Sequence, residues 1–497
     1  MSLEIVQTVK STLQPDGHPF MTGVFTPNYV EVNADDLTVI GAIPPTLDGV
    51  YLRNTQNPVH QPLGRHHAFD GDGMLHLMSF QQGRCEYRNR FIPTKGFCEE
   101  QEAGGALYAG LIDNPRLAKR PGWGARGGLR DTAGTDVIVH AGSALATFYQ
   151  CGEPYRMDAR TLEFKGTAAW GERVMPDGIS AHPKVDPRTG ELLFFNYSKQ
   201  APYMHFGVVD ANDQLLHYVP VELPGPRLPH DMAFTENYAV LNDFPLFWDP
   251  QLLAQGKHKV VYQPELRSRF AIVPRRGKPG EVRWFEASPT YVLHWLNAWE
   301  EGDEIVLHGY HQRTPLPTRQ DGQGGFDNTG TTLGPERYGP SLYCWRFNLR
   351  TGETREERLS ELPLEFGMIN TRYWGRPYRY SYNMVAHPNS FLFDGITRFD
   401  HVSGASETYL FGEGRFGSES PMAPNVGAQS EDDGYVVSFV TDMNTHTSEC
   451  VVLDARHISA GPVARIMLPH QISSGTHACW ADASEIRSIW PGPKTRP

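Results

Sequence analysis

The chain has 497 residues and a formal net charge of −12, from 45 basic and 57 acidic side chains. Binding of nucleic-acid phosphates needs a basic stripe, and no run of like charge exceeds a few residues, so composition excludes a nucleic-acid partner. Gly (49) and Pro (39) are abundant, and 39% of the residues are hydrophobic. This composition indicates a globular protein built from short strands joined by many turns.

The N-terminal segment and the cysteines predict where the chain resides. Residues 1–20 lack the apolar region of a secretory signal, and no apolar run approaches the ~18 residues that cross a bilayer. The six cysteines include no CxxC pair, so we expect free thiols in a reducing compartment. The prediction is a cytoplasmic protein, with peripheral contact to a membrane left open.

Short β-rich runs recur along the chain, whereas short helices are predicted only in 97–118 and around 248–256. The predicted strands lie in residues 137–149, 192–198, 281–288, 304–310, 342–349, 391–400, 434–442 and 450–456. Between them, segments such as DARTLE (158–163) predict tight turns, opened by an Asp side chain that binds its own backbone. So many hairpins predict an all-β propeller forming one domain over 1–497, with a double β-sandwich as the alternative.

Residues 97–130 are predicted to leave the sheets. Within this segment, 104–130 is rich in Gly and interleaves apolar residues with Lys119, Arg120, Arg126 and Arg130. A structured loop is the simpler interpretation. The functional interpretation is a mobile cap, or a patch that contacts lipid through apolar side chains surrounded by basic residues.

Three motifs are predicted to carry no function. Residues 122–127 and 412–417 match GxGxxG, but the first lacks a preceding strand and the second lacks a following helix. We therefore predict loops and not a dinucleotide-binding fold. His308 and His311 have a metal-like spacing, but residues three apart on a strand face opposite sides. We interpret them as a solvated pair.

Six sequence blocks carry a resemblance to a known family. They are, in order, VYLRNTQNP (50–58), HHAFDGDGMLH (66–76), AHPKVDPRTGEL (181–192), PHDMAFTENY (229–238), LHWLNAWEEGDEIV (293–306) and EDDGYVVSFV (431–440). Together they resemble the carotenoid cleavage oxygenase family over essentially the whole chain. The resemblance implies a seven-bladed β-propeller with a cap of loops and short helices over its top face, and Fe(II) on its axis.

The resemblance also implies the iron ligands, one histidine from each of four blades: His182, His230, His294 and His477. Taken singly, each would be an ordinary core or surface histidine, because none has a neighbour at ligand spacing. Four neutral imidazoles suit a first-row divalent metal and leave coordination sites open for O₂. An outer shell of carboxylates is expected to orient them through the second ring nitrogen.

The family supplies these carboxylates as three glutamates, of which two match here, Glu365 and Glu419. The third position falls on Tyr149 or Gln150. Gln150 offers a hydrogen bond without charge, and Glu153 is a further candidate if the strand shifts register. We therefore predict an asymmetric site in which one imidazole faces Gln150 or Tyr149 instead of a carboxylate.

Other positions follow from the same resemblance. Thr135 matches a threonine beside an open iron position, where it would act by sterics and orientation. Asp70 and Asp72 are interpreted as structural, with Arg53 and Asn54 as hydrogen-bond partners in the scaffold. The substrate tunnel is expected to be apolar and aromatic, with candidate linings Phe69, Trp295, Phe366 and Trp480.

The implied reaction is oxidative cleavage of a conjugated carbon–carbon double bond by O₂, giving two carbonyl products without an organic cofactor. Family members that cleave stilbenes or phenylpropenes carry a Lys just before the outer-shell glutamate. Here that place holds Phe148 or Tyr149, so we expect a hydrophobic carotenoid or apocarotenoid polyene. The alternatives are a stilbene or phenylpropene substrate, a non-catalytic lipid-binding propeller, and another metal such as Zn(II) in the same site.

Overall fold

The computed structural model describes residues 1–14, 18–111, 113, 115–121, 130–168, 170–174, 178–249, 251–252, 260–312, 340–388 and 390–487. In the described residues the strands form eight antiparallel sheets, of which seven are the blades of a seven-bladed β-propeller and one is a separate two-stranded hairpin. The predicted fold is confirmed, and the double β-sandwich is excluded. Each of the eight strands predicted from the sequence overlaps observed strands.

The ring is closed by both ends of the chain. Blade 1 pairs the C-terminal strand with an N-terminal one, and blade 7 takes its outermost strand from the N-terminal part. Blade 1 contains, from the outside inward, Ser2–Thr8, Val30–Asp35, Arg84–Phe91, Asp72–Gln81, Gly49–Asn57 and Ala478–Asp482. Blade 7 contains Arg415–Phe416, Met422–Pro424, Gly434–Asp442, Thr447–Asp454, Pro462–Met467 and Val39–Gly41.

Blades 2 to 6 are each built from consecutive strands. Blade 2 contains Asp136–His140, Ser143–Thr147, Tyr155–Asp158 and Phe164–Thr167, and blade 3 contains Lys184–Val185, Leu192–Tyr197, Met204–Val209 and Leu215–Pro220. Blade 4 contains Ala233–Phe234, Tyr238–Asp243, Ser268–Pro274 and Arg283–Ala287, with an added hairpin of Leu246–Trp248 and Val260–Tyr262. Blade 5 contains Trp295–Glu301, Glu304–His311, Ser341–Asn348 and Thr354–Arg358, and blade 6 contains Leu364–Met368, Tyr380–Ala386, Phe393–Asp400 and Ser406–Leu410.

The helices in the described residues are short. They include the α-helices α1 (Lys95–Ala103), α2 (Gly171–Val174) and α3 (Ala483–Arg487). The 3-10 helices are Gly23–Phe25, Ala68–Asp70, Pro115–Leu117, Thr371–Tyr373 and Ile458–Ala460. Helix α1 and the turn at Pro115–Leu117 lie in the stretch predicted to be helical, whereas most of 248–256 lies outside the described residues.

Side-chain hydrogen bonds shape the blade turns as predicted. Asp158 accepts the backbone N–H of Arg160 at 2.9 Å, and Asp186 accepts that of Arg188 at 3.0 Å. Asn348 binds the backbone two residues ahead in the same way. These short polar side chains satisfy backbone donors that the hairpin leaves free, so the strands reverse direction within a few residues.

Large apolar side chains fill the space between blades. Trp295 packs against Phe270 and Trp345 between blades 4 and 5, and Trp480 lies with Phe80 in the core of blades 1 and 7. The expectation that Trp295 and Trp480 line a tunnel is therefore corrected. Side chains alternate along a strand, so residues one and three places after an axis-facing histidine point away from the axis.

The predicted cap is anchored to blade 1. Phe97 of α1 stacks on Phe91 with ring centroids 5.1 Å apart, and Arg130 pairs with Glu100 at 2.6 Å and also with Asp72. Asp70 accepts the backbone N–H of Leu111 at 2.8 Å. Both aspartates thus hold the segment predicted as a cap to the blade. Residues 112, 114 and 122–129, with the first GxGxxG, lie outside the described residues.

The remaining sequence motifs have plain structural roles, with one correction. Residues 412–417 form a turn and a short strand with no helix after it, as predicted. His308 is not solvated, because it is buried with Nδ1 2.8 Å from the Tyr378 hydroxyl. The prediction overlooked blade 6, which covers this face of the strand. No helix among the described residues is long and apolar enough to cross a membrane.

Candidate metal centre

The four histidines singled out in the sequence meet on the propeller axis. Each stands one to three residues before the innermost strand of its blade, His182 in blade 3, His230 in blade 4, His294 in blade 5 and His477 in blade 1. Innermost strands surround the axis, so these positions converge from distant parts of the chain. One ring nitrogen of each histidine lies within 4.8 Å of the others.

The imidazoles are arranged as metal donors. The Nε2 atoms of His182 and His230 are 3.2 Å apart, and ring centroids of His182 and His477 are 4.4 Å apart at 75°. Nε2 of His294 is buried and has no hydrogen-bond partner in the described part of the chain. A buried polar atom normally has a partner, so a metal ion on the axis would satisfy this nitrogen.

The protonation state of the four imidazoles is also consistent with metal binding. Burial and the neighbouring imidazoles lower the pKa of His182 and His294 well below the usual range, and burial lowers the pKa of His230 to about 3. Burial also opposes protonation of His477, but the carboxylates of Glu419, Asp136 and Asp231 together outweigh it and raise the pKa. At least three rings are therefore neutral near pH 7, with lone pairs free to bind a divalent cation.

Carboxylates stand behind two of the rings at the positions expected from the sequence. Glu365 lies 2.7 Å from Nδ1 of His294, and Glu419 lies 3.4 Å from Nδ1 of His477. The same carboxylates accept backbone N–H groups of Phe366 at 2.8 Å and Ala478 at 2.7 Å. Each glutamate is thereby held in place and fixes the tautomer and orientation of its imidazole.

The third expected position holds an aromatic ring. Tyr149 lies beside His230 with ring centroids 5.6 Å apart. Oε1 of Gln150 is buried without a hydrogen-bond partner in the described residues, so it accepts no hydrogen bond from an imidazole of the cluster. Gln150 therefore does not replace the missing glutamate. Glu153 is also unsuitable, since it lies beside Asp131 and near Lys95.

A carboxylate that sequence reasoning missed contacts the remaining ring. Asp136 Oδ2 lies 3.4 Å from Nδ1 of His182 and accepts the backbone N–H of His182 at 3.2 Å. Asp136 opens the innermost strand of blade 2, directly after Thr135. The sequence offered only an acidic residue directly before a predicted strand, next to Thr135.

Thr135 lies within the same arrangement. Its hydroxyl accepts the backbone N–H of Tyr149 at 3.2 Å, and its carbonyl accepts the hydroxyl of Thr476 at 3.3 Å. Thr476 precedes His477 in the chain. Thr135 therefore joins the strand that carries Asp136 to the segments that carry Tyr149 and His477.

A largely buried ion pair connects three ligand segments. Lys184, two residues after His182, lies 2.7 Å from Asp231, which follows His230. The other oxygen of Asp231 accepts the backbone N–H of Trp295 at 2.8 Å, directly after His294. These contacts fix the relative positions of three blades where their histidines reach the axis.

Aromatic side chains cover one side of the cluster. Phe366 lies 4.4 Å from His294 and 4.7 Å from His477, measured between ring centroids. Phe391 links Phe366 to Phe69, and Phe69 packs against Tyr149. The candidates Phe69 and Phe366 thus belong to one aromatic group, which also contains Tyr149, Phe391 and Phe393. Leu111 of the cap contributes to the same apolar cluster.

Glu365→Gln tests the carboxylate–imidazole pair directly. The amide keeps the size of the side chain but removes the charge, so we expect metal affinity to fall by about 10–100-fold. Titration of the metal-free protein with Co²⁺ measures this by visible absorbance. Glu361→Gln is the control, because its side chain is 82% exposed at an outer loop. Wild-type affinity in Glu365→Gln would contradict the assigned role.

Comparisons with known proteins agree with this geometry. A carotenoid 9,10(9',10')-cleavage dioxygenase 1 of Pisum sativum is 33% identical over 95% of this chain and 91% of its own length. The crystal structure of Pseudomonas brassicacearum lignostilbene dioxygenase superposes with a TM-score of 0.82 at 28% identity, covering 96% of this chain and 100% of that one. A cobalt-substituted apocarotenoid oxygenase of Synechocystis gives 0.81 at 26% identity, covering 92% and 97%.

A family profile covers nearly the whole propeller. The family described as retinal pigment epithelial membrane protein (RPE65) matches residues 25–482, a range that contains all four histidines and the three carboxylates beside them. Carotenoid cleavage dioxygenases and apocarotenoid oxygenases are among the relatives of this chain. The chain therefore belongs to the RPE65 and carotenoid cleavage oxygenase family.

Proposed function

We propose that His182, His230, His294 and His477 bind Fe(II), and that the protein uses O₂ to cleave a conjugated double bond of a carotenoid or apocarotenoid. The observation that carries this proposal is the cluster of four imidazoles on the propeller axis, within 4.8 Å of one another. Membership in a family of oxygenases that act on double bonds gives the reaction class.

The donor set supports a redox-active first-row metal. Imidazole nitrogen suits iron, cobalt, copper and zinc alike, so the ligands alone do not select iron. Oxygen chemistry excludes zinc, because Zn(II) has no accessible redox state with which to activate O₂. A relative of the same fold holds cobalt in a substituted form, which agrees with a site for divalent first-row metals.

When bound, Fe(II) would supply the activation of O₂ for addition to the alkene. The residues of this chain orient the ligands and surround the substrate. Glu365 and Glu419 hold two imidazoles in one tautomer, and Lys184 with Asp231 locks the ligand segments together. The aromatic group offers apolar faces to a flat polyene and excludes water from the reacting bond. Thr135 is proposed to limit the space at an open coordination position.

The residue before Tyr149 bears on the substrate class. Phe148 is buried against Leu111, so no lysine stands at this place to bind a phenol. The aromatic group is also apolar over most of its surface. Both features favour a carotenoid or apocarotenoid. The alternative is a stilbene or phenylpropene, since a lignostilbene dioxygenase has the same fold.

A substrate panel tests this proposal. Protein reconstituted anaerobically with Fe²⁺ is exposed to O₂ with β-carotene, an apocarotenal or resveratrol, and products are identified by mass. We expect loss of a polyene and appearance of two carbonyl products. Cleavage of resveratrol alone would select the stilbene alternative. No cleavage of any compound by the iron-loaded protein would contradict an oxygenase and favour a lipid-binding propeller.

A further inference from the structure

Three of the four imidazoles on the axis have a carboxylate oxygen beside Nδ1. The distances are 2.7 Å for His294 with Glu365, 3.4 Å for His477 with Glu419 and 3.4 Å for His182 with Asp136. Within the described residues His230 has no such partner and packs against Tyr149. The site therefore has three carboxylates, although only two of the expected glutamates are present.

We propose that Asp136 is the positioning residue of His182, which moves the third carboxylate of the metal centre from His230 to His182. The inference rests on the proposed function, because it assumes that the four imidazoles bind a metal. It assigns Asp136 a role that acts through His182 and not through contact with substrate. It also implies that the orientation of the His230 ring is fixed by packing against Tyr149 and not by a carboxylate.

The backbone at His182 explains why a carboxylate is needed there. His182 has φ of +64°, a left-handed conformation that non-glycine residues adopt only when neighbouring groups hold them. Oδ2 of Asp136 contacts both the backbone N–H and the ring Nδ1 of His182. One oxygen thus fixes the backbone and the ring together, and this aims Nε2 at the axis.

The surroundings of Asp136 keep it in this position. Its side chain is buried, and Oδ1 accepts the backbone N–H of Val137 at 2.7 Å. The carbonyl of Asp136 accepts the side-chain amide of Asn54 at 3.2 Å. The carboxylate therefore cannot change rotamer and move away from His182 without breaking its hydrogen bond with the backbone N–H of Val137. An anionic acceptor at Nδ1 also strengthens the imidazole as a donor to a cation.

A buried aspartate of the same blade provides the matched control. Asp131 accepts backbone N–H groups of Ala133 at 3.1 Å and Glu153 at 2.9 Å, but it contacts no imidazole of the cluster in the described structure. Asp131→Asn thus removes a buried charge and weakens backbone hydrogen bonds, as Asp136→Asn does. A purely structural role for Asp136 predicts the same consequences for both variants.

Titration of metal-free wild type, D136N and D131N with Co²⁺ separates the two roles. We expect D136N to bind Co²⁺ about 10–100-fold more weakly than wild type and to change the visible d–d spectrum. D131N should keep the wild-type affinity and spectrum even if its melting temperature falls. Wild-type affinity and spectrum in D136N would overturn the inference, as would an equal loss of affinity in D131N.

If D136N does not fold, D136E takes its place. Its longer side chain keeps the charge but displaces the oxygen from Nδ1, so we expect weaker Co²⁺ binding and an altered spectrum. Binding and spectrum identical to wild type would overturn the inference. The outcome is distinguishable from failure of the proposed function, because in that case the wild type itself would bind no stoichiometric Co²⁺.

Discussion

His294→Ala is expected to weaken metal binding by about a hundredfold or more and to abolish O₂-dependent cleavage. Metal binding to four nitrogen or sulfur ligands is worth about 10–16 kcal/mol, so one ligand accounts for about 3 kcal/mol or more. This corresponds to a loss of about a hundredfold or more in affinity. The variant also leaves Glu365 buried without its imidazole partner. Metal content after anaerobic reconstitution, together with turnover of an apocarotenal, measures both effects.

The control for this variant is His387→Ala. His387 also pairs with a carboxylate, 2.9 Å from Asp394, but it is half-buried and lies outside the cluster. Its removal should leave metal content unchanged. A circular-dichroism spectrum like that of the wild type shows that the His294 variant keeps its strands. About one metal per chain with retained turnover in His294→Ala would refute the ligand assignment.

Gly367→Ala is expected to destabilise the protein by about 3 kcal/mol, at the upper end of the range for overpacking a core. A Cβ at residue 367 would overlap the hydroxyl of Tyr310 and lie 2.7 Å from Oδ1 of Asn383. These two groups are themselves bonded at 2.6 Å and fully buried, so neither can move freely. The hydroxyl oxygen of Tyr310 also accepts a hydrogen bond from the backbone N–H of Gly367.

The same substitution should weaken metal binding. Gly367 lies two residues after Glu365, in a strand whose register shifts between Glu365 and Met368, and Phe366 has φ of +48°. Displacing this irregular segment would move the carboxylate away from His294. Denaturant unfolding and Co²⁺ titration measure the two effects separately.

Two further variants sharpen the test of Gly367. Adding Tyr310→Phe removes the overlapped oxygen, so the double variant should regain part of the lost stability. Gly105→Ala is the control, because a Cβ there meets no atom within 4 Å. Wild-type stability in Gly367→Ala would show that the strand relaxes without cost and would contradict this account of how Glu365 is held.

The propeller could be predicted from local pattern because each blade turn is a local event. Asp158 and Asp186 bind the backbone two residues ahead, so their turns are encoded within a few positions. The metal cluster could not be predicted in this way. His182 and His477 are nearly 300 residues apart in the sequence, and only the resemblance to a known family identified them as members of one set.

The errors also have physical causes. Trp295 follows a cluster histidine directly, yet alternation along the strand sends it into the core between blades. Gln150 is one residue from Tyr149, but its Oε1 accepts no hydrogen bond in the described residues, whereas the ring of Tyr149 packs against His230. Asp136 was missed because its partner, His182, comes from the next blade. Each case depends on side-chain direction or on a contact between blades, which spacing in sequence does not record.

Iron-dependent cleavage by the wild-type protein tests the central claim most directly. Metal-free protein is titrated anaerobically with Fe²⁺, exposed to O₂ and an apocarotenal, and the products are counted by mass spectrometry. We expect cleavage to rise in proportion to bound iron up to one per chain, with two carbonyl products for each polyene lost. Cleavage that does not depend on iron, or that Zn²⁺ supports equally, would contradict a four-histidine iron centre.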